Sequence, residues 1–296
     1  MTTAKQNVTI GYNQLRISLP IFVAAEQGIF QKNGLEVELK MFETGQPLMD
    51  ALYGGKVDVA GYTALPITFS GQLINKKDLY YTTAIMEDDK HPISMLMVKK
   101  DSLIQSIKDL KGKRIGILPT FAFKAWLEMI LKENGIAPGE VTLQDVAPAM
   151  TPAVLESGAV DAMFTIDSAV TIAIRKGIGK LLYEGAIVPK YMGSPFPFGS
   201  FNMTKNFVDK NPDTAKRIVQ SLDEAIDFIT ANQQEAKKMM VNYLSDAQKP
   251  LVASFPDASF LKSTEFSAEA LMKVADSYSK QGIINGPIDL AKAVYK

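Results

Sequence analysis

The chain has 296 residues, enough for two hydrophobic cores, and its 32 basic side chains balance its 32 acidic ones. Zero net charge gives no general attraction to nucleic acid or anionic membranes, and the absence of cysteine excludes disulfides, thiolate nucleophiles and cysteine-bound metals. No stretch approaches the roughly 20 apolar residues that span a bilayer, and the N-terminus has no apolar signal core. We therefore expect either a cytosolic protein or an exported one whose signal has been removed.

The first part of the chain alternates between strand-like and helix-like stretches. Strands are predicted at residues 8–12, 35–39, 57–60 and 79–86. Pro20 suits the first turn of a helix over residues 21–30, and Thr63, at the end of a short loop, is the predicted N-cap of a helix over residues 64–73. This alternation predicts a mostly parallel sheet.

The middle of the chain continues the alternation. Further strands are predicted at residues 93–98, 111–117, 141–146, 161–165, 180–183 and 201–203. Thr120 precedes a predicted helix over residues 121–134, and Asp167 lies in a predicted loop before the next helix. Residues 191–199 contain two prolines and are predicted to be irregular, whereas the C-terminal third is predicted to be helical from Pro212 onward.

One short pattern occurs twice. Leucine, glycine, valine and aspartate have the same spacing in residues 52–58 and in residues 155–161. Glycine after a short helix indicates a C-cap, and the valine and aspartate then open a strand. The repeat of this helix–turn–strand unit predicts two similar lobes.

The loops at the carboxyl ends of the predicted strands favour an anion site. In an open parallel sheet such loops gather at one crevice, and four of them precede helices whose N-termini carry unpaired N–H groups. The hydroxyls of Thr44, Thr63 and Thr120 either add donors there or simply cap their helices.

Catalytic and metal-binding groups are scarce. His91 is the only histidine, so neither a serine–histidine–aspartate triad nor a histidine zinc site is expected away from it. No glycine-rich phosphate motif is present. The acidic run of Glu87, Asp88 and Asp89 is expected to be a solvated turn, with cation binding as the alternative.

Several stretches resemble the periplasmic substrate-binding components of ABC importers, in the nitrate, sulfonate and taurine branch. The resemblance is carried by PIFVAAEQGIFQKNGLEVEL, ALYGGKVDVAG, SIKDLKGKRIGI, ESGAVDAMFTIDS, NPDTAKRIVQSLDEAIDF and QGIINGPIDLAKAV. Together they cover nearly the whole chain, and their order and spacing indicate the family without indicating the ligand.

The resemblance implies a type II periplasmic-binding-protein fold, with two α/β lobes joined by a two-strand hinge and closing on a ligand. Mapped onto this chain, one lobe is residues 1–95 plus 200–296 and the other is residues 96–199. It also implies an exported, periplasmic or extracytoplasmic monomer that meets the transmembrane subunits of a permease. No catalysis, cofactor or metal is expected.

Two departures concern the ligand. Many sulfonate-type relatives have tryptophan and proline flanking the aspartate, where this chain has Ile166 and Ser168 around Asp167. They also often have serine and glycine before the second-lobe helix, where this chain has residues 119–123 with two phenylalanines. The resemblance therefore does not imply that the ligand of this chain is a sulfonate.

Two other classes of protein with this fold are enzymes and ligand-sensing domains. Thiamine-pyrimidine synthases depend on histidine and a cysteine-rich motif, and porphobilinogen deaminases tether their cofactor through cysteine, so the composition opposes both. A ligand-sensing domain of a regulator or kinase remains the third possibility.

The side chains of the predicted crevice favour a small organic anion or zwitterion, a sulfonate or carboxylate with an apolar or aromatic body. Arg16 would pair with the anionic group, and Asp167 would suit an amine or hydroxyl. About half of the aromatic residues Tyr62, Phe121, Phe123, Phe196 and Phe198 are expected to be core instead. A heterocyclic vitamin precursor is the alternative ligand, whereas nitrate and bicarbonate fit poorly. The predicted ligand-binding residues are Asn13, Arg16, Thr44, Gln46, Tyr62, Thr63, Thr120, Phe121, Phe123, Asp167, Phe198 and Ser200.

Overall fold

The computed structural model describes residues 6–296 and divides the chain into two compact units. Unit 1 contains the residues up to Met86 together with Pro197–Ala253 and Ala258–Lys296. Unit 2 contains Glu87–Phe196 and the short segment Ser254–Asp257. No helix in residues 6–296 is both long and apolar enough to cross a membrane.

Both units combine strands with helices. The strands are β1 (Gln6–Asn13), β2 (Leu35–Phe42), β3 (Val59–Ala64), β4 (Leu79–Glu87), β5 (Ser94–Lys99), β6 (Arg114–Ile117), β7 (Thr142–Asp145), β8 (Ala162–Ile166), β9 (Gly179–Leu181), β10 (Phe196–Thr204) and β11 (Ser259–Leu261). The α-helices are α1 (Leu19–Glu26), α2 (Ile29–Lys32), α3 (Gly45–Tyr53), α4 (Leu65–Asn75), α5 (Phe121–Glu133), α6 (Thr151–Glu156), α7 (Asp167–Arg175), α8 (Ile187–Met192), α9 (Lys205–Lys210), α10 (Pro212–Ala231), α11 (Gln233–Met239) and α12 (Ala268–Lys280). The boundaries expected from the sequence, after residues 95 and 199, fall inside β5 and β10.

The sheet of unit 1 is mixed and has the order β11-β4-β10-β3-β1-β2. Strand β1 pairs in parallel with both β2 and β3, but the sheet is not mostly parallel as the alternating pattern predicted, since β11 pairs antiparallel with β4 and a further antiparallel pair adjoins β3. Strand β10 runs antiparallel to β3, and its register shifts between Ser200 and Asn202. The C-terminal third packs long helices on this unit, and α10 begins at Pro212 as predicted.

The sheet of unit 2 has the order β7-β6-β8-β5-β9. Here β6 pairs in parallel with β7 and β8, and β5 runs antiparallel to β8. Each sheet therefore has three neighbouring parallel strands followed by one antiparallel strand. The same arrangement of strands occurs once in each unit.

The repeated sequence pattern forms the same turn in both units. Gly55 and Gly158 have φ angles of +67° and +71°, in the left-handed region that favours glycine. Each glycine N–H donates to the carbonyl of the leucine three residues earlier, at 3.1 Å for Leu52 and 3.2 Å for Leu155. The predicted helix–turn–strand unit is therefore present twice.

One hydrophobic cluster of unit 2 lies between its sheet and the helices α6 and α7. Met97 and Met163 from the sheet pack with Leu155 of α6 and Val170 of α7. Gly116 leaves room for a methionine side chain, because a Cβ there would meet Met163 Sδ. These contacts fix the start of α7 against the carboxyl end of β8.

Three local predictions were wrong. The helix expected over residues 21–30 is interrupted at Gly28, whose φ of +65° separates α1 from α2. Residues 61–63 are not a loop, because pairing with β10 extends β3 through Ala64. Residues 191–199 are not irregular throughout, since the same pairing makes strand β10 from Phe196.

Candidate ligand-binding edges of the two sheets

In unit 1, the carboxyl ends of three parallel strands meet at one edge of the sheet. Asn13 ends β1, and Thr44 follows β2 by two residues. Thr63 lies next to the end of β3 and pairs with Ser200 of the antiparallel strand β10. Phe198 lies two residues before Ser200, so the structure brings these five predicted residues to the same edge.

Arg16 places a buried positive charge at this edge. It begins the 3-10 turn Arg16–Ser18 between β1 and α1, and only 2% of its surface is exposed. Asn13 beside it is also buried and joins β1 to β2, because its Nδ2 donates to the Phe42 carbonyl at 2.9 Å. The segment after β1 is therefore a packed turn. A buried guanidinium keeps its charge and is stabilised by acceptors or anions.

The N-terminus of α3 lies against β3. Thr44 holds the N-cap position, but within the described residues its side chain makes no capping hydrogen bond. Gln46 is exposed and donates to Asp50 one turn later, at 3.0 Å. Gly45 is required between them, because a Cβ at that position would lie 2.8 Å from Thr63 Cγ2.

Thr63 is not the N-cap that the sequence predicted, and Tyr62 is one of the aromatic residues that prove to be core. Thr63 is inside β3, its hydroxyl donates to the Gly61 carbonyl at 3.2 Å, and Ala64 occupies the N-cap position of α4. Tyr62 is fully buried, with its hydroxyl 2.7 Å from Thr83 Oγ1 and its ring against Phe201. Burial raises the pKa of the Tyr62 phenol well above its usual range. Tyr62 is therefore a core residue of unit 1.

In unit 2, three parallel strands also end together. Thr120 follows β6 and caps α5, which was one of its two expected roles, since its Oγ1 accepts from the Phe123 N–H at 3.3 Å. Phe121, the first residue of α5, is 45% exposed. Met150, in the 3-10 turn after β7, is 51% exposed and was not predicted from the sequence. Two large apolar side chains are thus exposed after neighbouring strands of one sheet.

The other phenylalanines considered as ligand contacts are buried. The ring of Phe123 lies 4.8 Å from that of Phe164 and 5.6 Å from that of Trp126, in the core of unit 2. Phe196 and Phe198 are also buried in β10. Of the five predicted aromatic contacts, Phe121 alone is exposed.

Asp167 lies at the junction of β8 and α7. It is the first residue of α7, not part of a loop, and it is 3% exposed. Its backbone N–H donates to the Ile93 carbonyl at 3.0 Å. The hydroxyls of Thr165 and Ser168 on either side are buried and have no hydrogen-bond partner within residues 6–296. An unpaired buried hydroxyl is costly, so this junction is suited to a polar guest.

Sequence reasoning missed Thr165 and Ser168 as candidate residues. The available signal was their position on both sides of Asp167 at a strand-to-helix junction. Ser200 was predicted, and its buried hydroxyl donates to Asn202 Oδ1 at 2.8 Å where β10 changes register.

The acidic run after β4 is not a solvated turn throughout. Glu87 is fully buried and ends β4, and its Oε1 accepts from the Ile93 N–H and the Ser94 hydroxyl, both at 2.8 Å, and from the Ser94 N–H. Asp88 pairs with His91 at 2.9 Å. Burial by itself would raise the pKa of the Asp88 carboxyl, but hydrogen bonds from His91 and from backbone N–H groups lower that pKa overall. No cluster of three potential metal ligands occurs in the described residues.

Two mixed sheets with this strand order define the two-unit fold of periplasmic binding proteins, and solved structures agree with this class. The periplasmic aliphatic sulphonate binding protein SsuA from Escherichia coli superposes with a TM-score of 0.76 at 18% identity, covering 99% of this chain and 98% of that one. The desulfurization enzyme DSZB has the same fold, with a TM-score of 0.69 at 13% identity and coverage of 98% and 96%. The fold therefore occurs in binding proteins and in at least one enzyme.

The chain belongs to the NMT1-like family, whose pattern it matches over residues 2–245. Among curated relatives, the taurine-binding periplasmic protein of Escherichia coli is 26% identical over 227 residues, which is 76% of this chain and 67% of that protein. Periplasmic binding proteins are thus among the relatives of this chain, as the sequence resemblance predicted.

Proposed function

We propose that this protein is the solute-binding component of an ABC importer, which captures a small organic anion or zwitterion outside the cytoplasm and delivers it to a permease. The ligand class is a sulfonate or a carboxylate. Family membership and the periplasmic binding proteins among its relatives support this role.

The observation that most strongly supports an anionic ligand is the buried guanidinium of Arg16 at the carboxyl edge of the unit 1 sheet. A planar guanidinium binds a sulfonate or carboxylate through two parallel hydrogen bonds. The N-terminus of the nine-residue helix α3 begins at the same edge and favours negative charge.

Unit 2 offers polar groups of its own that suit a ligand. The buried carboxyl of Asp167 suits an amine or hydroxyl, and the neighbouring hydroxyls of Thr165 and Ser168 supply further hydrogen-bonding groups. Phe121 would contact an apolar portion of the same molecule.

A heterocyclic vitamin precursor is the second candidate ligand. It is favoured by the combination of the buried carboxyl of Asp167 with the exposed ring of Phe121 in one unit. Ring nitrogens would bind Asp167, and the heterocycle would stack on Phe121. Such a ligand makes no use of Arg16, which is why we prefer the anion.

We propose that the bound molecule is not chemically changed. The chain has no cysteine, and its single histidine, His91, is engaged with Asp88 in the turn after β4. His91→Ala should therefore leave ligand affinity within about threefold. Turnover of a bound compound that disappears in this variant would restore an enzymatic role.

Calorimetric titration with taurine, hexanesulfonate, benzoate, nitrate and an aminopyrimidine tests the ligand class. The expected result is saturable binding of at least one organic sulfonate or carboxylate and none of nitrate. Binding of the aminopyrimidine alone would favour the vitamin precursor. Binding of nitrate alone would contradict the proposal.

A further inference from the structure

We propose that Glu87 positions Asp167 for ligand binding, although Glu87 itself touches no ligand. This inference rests on the proposed function, in which Asp167 binds the amine or hydroxyl of the solute. It concerns a residue that the sequence pattern had indicated only as part of a solvated acidic turn.

The Glu87 carboxylate organises the turn between β4 and β5. A single oxygen, Oε1, accepts the backbone N–H of Ile93 at 2.8 Å, the Ser94 hydroxyl at 2.8 Å and the Ser94 N–H. Glu87 is fully buried, so these donors take the place of water. The carboxylate therefore fixes the backbone of residues 93 and 94.

Asp167 and the residue before it, Ile166, are held by the same two residues. The Ile93 carbonyl accepts the Asp167 N–H at 3.0 Å, and Ser94 is the ladder partner of Ile166 in the antiparallel pair β5–β8. The backbone of Asp167 is thus held by the segment that Glu87 holds. The single residue Ile93 donates to the Glu87 carboxylate through its N–H and accepts from the first residue of α7 through its carbonyl.

Ser94 extends this arrangement to a second helix. Its hydroxyl donates to Glu87 and accepts the Val188 N–H of α8 at 3.3 Å. A charged acceptor makes hydrogen bonds roughly twice as strong as a neutral one. Glutamine at position 87 would keep the shape of the side chain while weakening these bonds, and the α7 N-terminus would become less well fixed.

The neighbouring pair of Asp88 and His91 provides a matched control. It lies in the same turn, at a partly exposed position, and the Asp88 carboxylate accepts hydrogen bonds from Lys90 and His91 instead of from residues 93 or 94. Asp88→Asn should disturb the turn locally without loosening Asp167. A general effect of altered charge in this turn would appear in both variants.

The test is a double-mutant cycle with two probes, taurine and ethanesulfonate, which differ by one amine. Glu87→Gln should weaken taurine binding about tenfold and ethanesulfonate binding less than threefold. In an Asp167→Asn background, Glu87→Gln should cause no further loss of taurine affinity, since the group it positions is already impaired. Equal losses for both probes, or equal losses in both backgrounds, would show a purely structural role and overturn the inference.

Hydrogen exchange gives a readout that needs no ligand. The Asp167 amide should exchange at least about tenfold faster in Glu87→Gln than in Asp88→Asn, because its acceptor Ile93 is less well fixed. Ser94→Ala removes a single hydrogen bond and should show a smaller change in the same direction, which keeps the test available if Glu87→Gln does not fold. Unchanged exchange in a folded variant overturns the positioning role. Faster exchange without binding of any anion would instead contradict the proposed function.

Discussion

The carboxylate of Asp58 accepts the backbone N–H of Thr9 at 2.8 Å, and the Asp58 N–H donates to the Thr9 carbonyl at 3.0 Å. Asp161 makes the same two hydrogen bonds with Arg114 in unit 2, both at 2.8 Å. In each unit the aspartate of the repeated pattern joins the turn after its glycine to the first residues of the central parallel strand. The repeat is therefore conserved in its hydrogen bonds as well as in its letters.

The two aspartates differ in one contact, which predicts different mutational effects. Asp161 also pairs with the Arg114 guanidinium at 2.8 Å, whereas Thr9 has no charge. Asp161→Asn should lower the melting temperature by roughly 1 to 3 °C at neutral pH, since the pair is partly exposed. Asp58→Asn keeps an acceptor for the Thr9 N–H and should change it by less than about 1 °C.

The Asp161 effect should depend on pH in a definite direction. Hydrogen bonding to Arg114 lowers the pKa of Asp161 below its ordinary value of 3.8. A lowered pKa in the folded state contributes stability above pH 3.8 that is lost as the pH falls through the folded-state pKa. Thermal unfolding of Asp161→Asn and Asp58→Asn, each compared with the unaltered protein from neutral to acidic pH, checks this. A loss of stability in Asp161→Asn that persists at the lowest pH would contradict it.

Substitutions of the two phenylalanines of α5 should distinguish a role in packing from a role in ligand binding. Phe123→Ala removes a buried ring and should lower the free energy of unfolding by about 3 to 5 kcal/mol. Phe121→Ala removes an exposed ring and should change stability by no more than about 0.5 kcal/mol while weakening hexanesulfonate binding severalfold. Denaturant unfolding and calorimetry measure the two effects. A stable Phe121→Ala variant with unchanged affinity would remove Phe121 from the site.

The side chain of Thr63 should leave no room for a residue larger than glycine at position 45. A Cβ at position 45 would lie 2.8 Å from Thr63 Cγ2 and 3.2 Å from Ile67 Cδ1. Gly45→Ala should therefore destabilise the protein by about 1 to 3 kcal/mol. Thr63→Ser removes the Cγ2 methyl, so the double variant should recover part of that loss. If Thr63→Ser brings no recovery, the close approach is not the cause.

Features that depend on a few consecutive residues were predictable from the sequence. The glycine and aspartate of the repeated pattern specify a C-cap and a strand start locally, and both copies form that turn. The Thr120 hydroxyl caps α5, one of the two roles expected from the sequence, and this role needs only the N–H three residues later.

Features that depend on distant partners were not predictable. Thr63 lies in a strand instead of a cap because β10, far along the chain, extends β3 by pairing with it. Glu87 resembles a surface acid in the sequence, and its burial follows from donors at Ile93 and Ser94 that only the fold brings to it.

The positions of most candidate residues near the carboxyl ends of parallel strands could be predicted from the sequence. The carboxyl ends of the parallel strands located these residues, but the helical register that separates exposed Phe121 from buried Phe123 depends on packing against Phe164. Met150, Thr165 and Ser168 were missed because their exposure or their unpaired hydroxyls are properties of the folded chain.

The central claim, that an organic anion is the ligand, is tested most directly by titrating hexanesulfonate and hexanesulfonamide in parallel by calorimetry. The two compounds have the same apolar chain and differ in the charge of the head group. Because the proposed partner of the head group is the buried guanidinium of Arg16, we expect the sulfonate to bind at least about 100-fold more tightly. Equal affinity for the two compounds, or tighter binding of the sulfonamide, would contradict an anion site.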